Sequence, residues 1–180
     1  MAGRALRQRE IRRLFELLDQ ELEASGIQGE LYLMGGAVMC LAYDARPATQ
    51  DVDAVFRPVR PIREAAARVA ERAGVATDWL NDGVKGFMSD RGEFAPFLEL
   101  DHLRVMVAHP EYLLAMKCIA MRIGAEFHDE DDVRFLLRWL NVASIEQATR
   151  IIEHFYPIER IPQKTLYALG EILAPGPNRG

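Results

Sequence analysis

Two aspartates separated by a single residue, Asp51 and Asp53, are the strongest candidates for chemistry in this sequence. They lie in residues 50–56, where polar and apolar residues alternate as in a β-strand. Side chains two residues apart in a strand point to the same face, about 6.5 to 7 Å from each other along the chain. The pair can therefore hold divalent ions, and hard oxygen ligands suit Mg²⁺ or Mn²⁺, which commonly bind substrate phosphates. The spacing predicts phosphoryl chemistry; the alternative is a solvated pair at a strand edge or turn.

Two adjacent glycines, Gly35 and Gly36, stand between a predicted buried strand at residues 30–34 and a predicted helix at residues 37–43. Glycines in this position let backbone N–H groups approach a phosphate at the helix N-terminus. The alternative is that they only turn the chain. The sequence lacks the Gly-Lys-Ser/Thr of a Walker A loop and the spacing of a dinucleotide fingerprint, so the glycines alone identify no nucleotide.

Lys117 lies on the apolar stripe of a later predicted helix, where a lysine needs an anionic partner or a shifted pKa. We predict that it reaches nucleotide phosphates; the alternative is a side chain that extends past the core to solvent. Arg122, five residues on, does not share its helical face, so a joint role needs a bent helix or a second wall of the site. Asp129 and Asp132 suit the N-cap and N3 positions of the next helix, and Asp132 is also able to pair with Lys117 or Arg122.

The elements predicted around these residues form a mixed α/β (α+β) fold, with a mixed sheet flanked by helices and a helical C-terminal third. We predict a core at residues 1–125, including an N-terminal helix, and a helical region at residues 126–180 packed on that core. Ser144 and Gln147 match a capping box. The remaining predicted elements are helices at residues 4–25, 62–73, 110–123, 129–140, 144–155 and 163–173, a loop at 77–93, and a hairpin of strands at 94–100 and 103–108.

Composition excludes several classes of function. The net charge of -5 argues against a broad nucleic-acid-binding surface, because such surfaces neutralise many phosphates. Only Cys40 and Cys118 are present, so the sequence supports neither a disulfide framework nor a multi-cysteine zinc site, and we expect a cytoplasmic protein. We expect neither a secretion signal nor a membrane span. The four histidines include no i, i+4 pair, and no serine or cysteine lies in a nucleophile-elbow motif.

Residues 33–56 resemble the signature of the DNA polymerase beta-like nucleotidyltransferase superfamily, which is a strand, Gly-Gly or Gly-Ser, a helix, and Asp-x-Asp in the next strand. Within it, the sequence is similar to small bacterial proteins akin to AbiEii-type toxin nucleotidyltransferases and to the nucleotidyltransferase-like family DUF6036. Thr49 and Arg46 match a Thr or Ser and an upstream Arg of those families. The resemblance continues more weakly through Lys117, Arg122, Asp129 and Asp132.

The resemblance implies transfer of a nucleoside monophosphate from a nucleoside triphosphate, with ATP expected, to an acceptor hydroxyl. Asp51 and Asp53 would bind Mg²⁺ or Mn²⁺ and act with Lys117. The acceptor would be RNA such as tRNA, a protein or a small molecule, and a toxin-antitoxin or defence setting would supply a cognate antitoxin or partner protein. The nucleotide-binding residues would be Gly35, Gly36, Arg46, Thr49, Lys117 and Arg122.

Active members of the superfamily usually have a third carboxylate on a later strand, for which Glu99 and Asp101 are the candidates here. Without that acid, the chain would be a degenerate nucleotide-binding or protein-interaction module. A glycosyltransferase that uses Asp51-Val52-Asp53 to bind the metal of a nucleotide sugar is a third possibility, for which the chain is short.

Overall fold

A computed structural model describes residues 4–124 and 127–175. The fold is mixed α+β, as predicted. Among the described residues, those in the ranges 1–86 and 94–108 form a first compact unit, and those in the ranges 87–93 and 109–180 form a second. The helix that begins at Pro110 therefore belongs to the second unit, although the sequence-based division at residue 125 assigned it to the core.

The first unit contains a five-stranded mixed sheet and a separate two-stranded pairing near the N-terminus. The predicted hairpin at residues 94–108 is present, because the two strands within this range pair antiparallel. The strands are β1 (Leu6–Arg7), β2 (Gly29–Met34), β3 (Ala48–Thr49), β4 (Val52–Arg57), β5 (Leu80–Asn81), β6 (Phe94–Glu99) and β7 (Leu103–Ala108).

The order of the main sheet is β5-β4-β2-β7-β6. The central strand β2 runs antiparallel to β4 and parallel to β7, while β5 runs parallel to β4. Consequently, the C-terminal ends of β2 and β7 lie at the same end of the sheet as the N-terminal end of β4. That end is where the sequence places both the glycine pair and the two aspartates.

One face of this sheet is covered by α1 (Gln8–Ala24) and α3 (Val59–Ala73), which pack against each other. A Cβ atom built on Gly29 of β2 would lie 2.8 Å from Leu22 of α1 and 3.2 Å from Ile62 of α3, so both helices lie directly over the central strand. Alternate residues of the strands, including Leu31, Ala54 and Val105, are buried on this face. Asp53 points to the opposite face, because it alternates with Val52 and Ala54.

Two short strands differ from the prediction. Leu6 and Arg7 were expected to begin the first helix, but they pair with Thr49 and Ala48 as β1 and β3, and α1 begins at Gln8. Leu80 and Asn81 were expected in a loop, but they form β5 beside β4. A strand of two residues is too short to show alternation, which explains why both were missed.

The second unit is helical and contains α4 (Pro110–Ile119), α5 (Asp129–Trp139), α6 (Ile145–Phe155) and α7 (Gln163–Leu173). Helix α4 packs against α5 and α6, and the hydroxyl of Thr165 in α7 donates to the backbone carbonyl of Cys118 in α4 over 2.8 Å. Ser144 caps α6, since its Oγ accepts the N–H of Gln147. The Gln147 side chain accepts from the N–H of Ala143 rather than from Ser144 itself. Among the described helices, none has the length and apolar character needed to cross a membrane.

Candidate functional site

Asp53 lies near the start of β4 and Asp51 immediately precedes that strand, and both side chains are half-buried. Asn81 of β5 is directly beside Asp53 in the parallel pairing, and its Nδ2 donates to Oδ2 of Asp51 over 3.0 Å. Its own Oδ1 accepts from the N–H of Gly83, which fixes the direction of the amide. Asn81 therefore orients one carboxylate while flanking the other.

Sequence reasoning missed Asn81 because the segment from residue 77 to 93 is rich in turn-forming residues. The signal that was available is small: Trp79 and Leu80 are apolar and buried, and a polar residue follows them at once. This pattern is compatible with a short strand that ends in a functional side chain, but two residues do not establish it.

The helix predicted at residues 37–43 is α2 (Gly35–Leu41), so Gly35 and Gly36, called the glycine turn below, form its first residues rather than a segment before it. The first of these glycines is in contact with the second aspartate. Gly35 has a φ of +65°, in the left-handed region that glycine adopts without the strain of a Cβ atom. A Cβ atom built on Gly35 would lie 2.6 Å from Oδ2 of Asp53. Only a residue without a side chain permits this approach, so the turn backbone and the carboxylate share one small region.

The next residue, Gly36, is in contact with Arg46 and Thr49. A Cβ atom built on it would lie 1.8 Å from Nη2 of Arg46 and 2.7 Å from Oγ1 of Thr49. The Thr49 hydroxyl in turn donates to the backbone carbonyl of Asp51 over 3.2 Å. The guanidinium is thus pressed against the glycine turn, beside the segment that leads into β4.

The first unit therefore brings six of the predicted residues together at one end of its sheet. Their donors fit a hard divalent ion, because two carboxylates face the same side and Mg²⁺ ordinarily takes one or two protein carboxylates together with water and substrate oxygens. Among the residues that the structure describes, no group of three or more His, Cys, Asp or Glu side chains is suited to hold a metal. The six residues are Gly35, Gly36, Arg46, Thr49, Asp51 and Asp53.

Glu99 and Asp101, the candidates for a third carboxylate, are not brought to this site. Glu99 pairs with Arg104 across the hairpin, and Arg104 is level with Glu30 and hence with Arg57, at the far end of β4. Four residues of strand separate that end from Asp53, a distance of roughly 13 Å. Asp101 lies in the hairpin turn just beyond Glu99.

The row of residues level with Asp53 offers no other acid among the described residues of the sheet. Asp53 is opposite Met34 in β2, and the next position along the row is Ala108 of β7, which pairs with Phe94 of β6. These neighbours are apolar. Among the described residues, the strands that continue this row beyond Asp53 therefore supply no third acidic ligand at its level.

Lys117 belongs to the second unit, where it forms ion pairs with Asp129 and Asp132. Its Nζ lies 3.2 Å from Oδ1 of Asp129 and 2.6 Å from Oδ2 of Asp132. The Lys117 residue is only 8% exposed, so the alternative in which the side chain extends to solvent is wrong. The predicted pairing between Asp132 and Lys117 is confirmed.

Arg122 reaches the same cluster because α4 ends at Ile119, earlier than predicted. The chain then turns, and both the backbone N–H and the Nε of Arg122 donate to Oδ2 of Asp129, over 3.1 and 2.9 Å. Asp129 is the first residue of α5 and His128 precedes it as N-cap, so Asp129 holds side chains from α4 and its exit rather than capping its own helix.

Opposing effects act on the Asp129 carboxyl. Burial raises its pKa, but the hydrogen bond from Arg122 and the charge of Lys117 together lower it by more than burial raises it. The net pKa therefore lies below the usual value of 3.8. The cluster contains two basic and two acidic side chains. This balance is that of a self-neutralised ion-pair network that joins the end of α4 to the start of α5.

The second unit also contains a cavity of about 370 Å³ between residues 87–93 and the end of α6. Its charged lining consists of Asp90, Arg91, Glu153 and Arg160. The guanidinium of Arg91 donates to the backbone carbonyl of His154, and that of Arg160 lies 5.3 Å from the centre of the Tyr156 ring. Because acids and bases balance and both arginines contact the protein, the lining favours no ligand charge.

Comparison of the chain with protein-family models, with curated proteins and with solved structures found no significant match.

Proposed function

We propose that this chain is a metal-dependent nucleotidyltransferase whose site is the end of the sheet where β2 leads into α2 (Gly35–Leu41) and β4 begins. The observation that carries the proposal is the contact between Gly35 and the Asp53 carboxylate. A phosphate held by the glycine backbone would lie beside any divalent ion that Asp53 binds. This juxtaposition of metal and phosphate is what phosphoryl and nucleotidyl transfer require.

The aspartates, Asn81 and the glycines have separate roles in the proposed reaction. Asp51 and Asp53 would hold Mg²⁺ or Mn²⁺, and Asn81 would keep Asp51 in place through its amide. The bound ion would neutralise charge on the triphosphate. Gly35 and Gly36 would receive the phosphates, which orients the α-phosphorus for in-line attack by an acceptor hydroxyl and release of pyrophosphate.

The predicted contact of Lys117 with the nucleotide remains a proposal, and its ion pairs favour a structural role. To reach a phosphate, Lys117 would have to leave two buried carboxylates at 3.2 and 2.6 Å. Removing a cation from buried acids is costly because it leaves uncompensated charge. We therefore propose that Lys117 mainly holds α4 to α5, and that Arg46 supplies positive charge in the first unit.

A second candidate is a catalytically degenerate domain that binds a nucleotide or a protein partner without transferring a nucleotidyl group. The position of Glu99 favours it, because the predicted third carboxylate is at the other end of the sheet. Both candidates use the same metal and phosphate site. The expected compartment in either case is the cytoplasm, and the proposed acceptors or partners are RNA such as tRNA, a protein substrate, or a cognate antitoxin.

Label transfer separates the two candidates. The parent protein is incubated with each α-³²P nucleoside triphosphate, Mg²⁺ and total bacterial RNA, beside an Asp51→Asn, Asp53→Asn double variant. Glu99→Gln is the matched control, since it neutralises a carboxylate at the far end of the same sheet. Label on RNA or protein with the parent and the control, and none with the double variant, is the expected result.

Nucleotide binding without label would favour the degenerate domain. Equal labelling by the parent and the double variant would reject the site. Equal Mg²⁺-dependent ATP binding by these two proteins would reject it as well, whichever candidate is considered.

A further inference from the structure

We propose that Arg46 is a built-in cation of the aspartate pair, which holds the place of the divalent ion and moves to the phosphates when the ion binds. This inference rests on the metal site of the proposed function. It concerns what the site contains before any ligand arrives, and it predicts effects of opposite sign on metal and nucleotide binding.

The position of the guanidinium follows from the two glycines. Nη2 of Arg46 lies where a Cβ of Gly36 would be, and Oδ2 of Asp53 lies beside the corresponding position of Gly35. Adjacent Cα atoms are only about 3.8 Å apart, so the arginine and the carboxylate meet neighbouring residues of one tight turn. Both side chains are half-buried, which strengthens their attraction relative to fully solvated charges.

The guanidinium also lies near the backbone of the first aspartate, through Thr49. Oγ1 of Thr49 is 2.7 Å from the same Gly36 position, and it donates to the backbone carbonyl of Asp51. Arg46 is therefore held between the turn and the entry of β4. Two neighbouring carboxylates repel each other, and a cation close to one of them relieves part of that repulsion.

A divalent ion and this guanidinium compete because they are drawn to the same carboxylates. A guanidinium cannot ligate a metal, since it has donors only, so it must withdraw when the ion enters. The Arg46 backbone limits how far the guanidinium can move, so the guanidinium remains near the glycine turn. There its fork of N–H donors matches phosphate oxygens, which bind arginine bidentately.

The substitution Arg46→Gln tests the exchange through binding alone. Without nucleotide, the variant should bind Mn²⁺ roughly two- to fivefold more tightly than the parent, the size expected for loss of one partly solvated competing charge. With Mn²⁺ saturating, it should bind ATP about tenfold more weakly or worse, because charge-assisted hydrogen bonds to phosphate are lost. Mn²⁺ binding is read by electron paramagnetic resonance and ATP binding by calorimetry.

Arg57→Gln is the matched control. It removes an equal charge at the far end of β4 from Asp53, so its Mn²⁺ and ATP affinities should stay within about twofold of the parent. Equal or weaker Mn²⁺ binding by Arg46→Gln would overturn the exchange. So would a gain of equal size in Arg57→Gln, because the effect would then belong to net charge alone.

A metal-free measurement tests the pairing independently of the proposed function. A double-variant cycle of Arg46→Gln and Asp53→Asn in urea unfolding should show favourable coupling between the two side chains. The cycle of Arg57→Gln and Asp53→Asn should be additive, since sites this far apart rarely couple. Absence of coupling in the first cycle would overturn the proposal.

The two proposals fail in different ways. Tighter Mn²⁺ binding by Arg46→Gln, combined with no nucleotide binding by the parent, would support the competition of Arg46 with the ion but reject both its movement to phosphates and the nucleotidyltransferase. Failure of both proteins to bind Mn²⁺ would overturn the exchange and the metal site together, even if the coupling persists.

Discussion

Met34 and Asp53 are directly opposite each other in the antiparallel pair of β2 and β4. Gly35 follows Met34 directly, so the glycine turn begins one residue after the position opposite Asp53. This register, and not sequence distance, brings residues 35 and 53 together. A shift of one residue would turn Asp53 to the helix-covered face, where the buried neighbours are apolar.

We expect Gly35→Ala to destabilise the protein and to weaken Mn²⁺ binding. The left-handed backbone at this position costs a non-glycine residue about 1 to 2 kcal/mol, and the added methyl group would also displace the Asp53 carboxylate. Urea unfolding and Mn²⁺ titration measure the two effects.

Gly74→Ala separates strain from contact. Gly74 has the same φ of +65° at the end of α3, but a Cβ atom there would have no heavy atom within 4 Å. The Gly74→Ala variant should lose a similar amount of unfolding free energy through backbone strain, while its Mn²⁺ affinity stays unchanged. Equal losses of stability and metal affinity in the two variants would show that the contact with Asp53 is unimportant.

We expect Asn81→Ala to reduce Mn²⁺ affinity several-fold, since residues that orient a metal ligand typically affect metal affinity by about ten- to a hundredfold. Asn81 is half-buried, so the smaller effect is expected. Gln28→Ala is the control, because it removes an amide hydrogen bond to the Asp101 carbonyl at the other end of the sheet. If the control lowers Mn²⁺ affinity as much, Asn81 does not act through Asp51.

Much of this arrangement is visible in the sequence, because long elements carry periodic patterns. Helix α7 matches its predicted bounds, and β7 does so within the predicted hairpin. That the glycines and the two aspartates lie close together could be predicted from the order of strand, glycine pair, helix and strand along the sequence. The pairing of Glu99 with Arg104 was not, because it depends on which strands become neighbours and in which direction each runs.

Features set by tertiary contacts escaped prediction for a related reason. Because α4 ends early, Arg122 can turn back to Asp129. No turn-forming residue occurs between the end of α4 and Gly124, so the sequence does not indicate where the helix stops. The role of Arg46 at Gly36 likewise depends on the path of the loop between α2 and β3. Such contacts join residues from different segments of the chain. Periodic patterns describe residues within one helix or strand, so they indicate these residues but not their partners.

We expect Lys117→Met to destabilise the protein by about 3 to 5 kcal/mol, because it leaves Asp129 and Asp132 buried without their shared cation. Adding Asp132→Leu should recover part of that loss, since it removes one of the uncompensated charges. Urea unfolding at neutral pH measures both variants.

Lys85→Met is the control for this network. Lys85 pairs with Asp82 over 3.2 Å, the same distance as in the Lys117–Asp129 pair, but its side chain is 67% exposed. Exposed pairs contribute about 0 to 1 kcal/mol, so little loss is expected. A small loss in Lys117→Met as well would contradict the structural role and return Lys117 to the candidates for catalysis.

Acidification should weaken the same network through Asp129. Its folded-state pKa lies below 3.8, since the hydrogen bond from Arg122 and the charge of Lys117 outweigh the effect of burial. A carboxyl with a depressed pKa contributes stability that is fully present above the unfolded-state value and is lost as pH falls through the folded-state value. The parent should therefore lose unfolding free energy below about pH 3.8, and Asp129→Asn should lose less over the same range.

Urea unfolding between about pH 2.5 and pH 5 measures these slopes, in the window where the carboxyl groups titrate. Asp131→Asn is the matched control for charge at the start of α5, because Asp131 is exposed on the same helical turn. Asn at position 129 still accepts a hydrogen bond from Arg122 but carries no charge for Lys117, so its stability should depend less on protonation. Identical slopes for the parent and Asp129→Asn would show that the ion pairs at Asp129 do not stabilise the folded state.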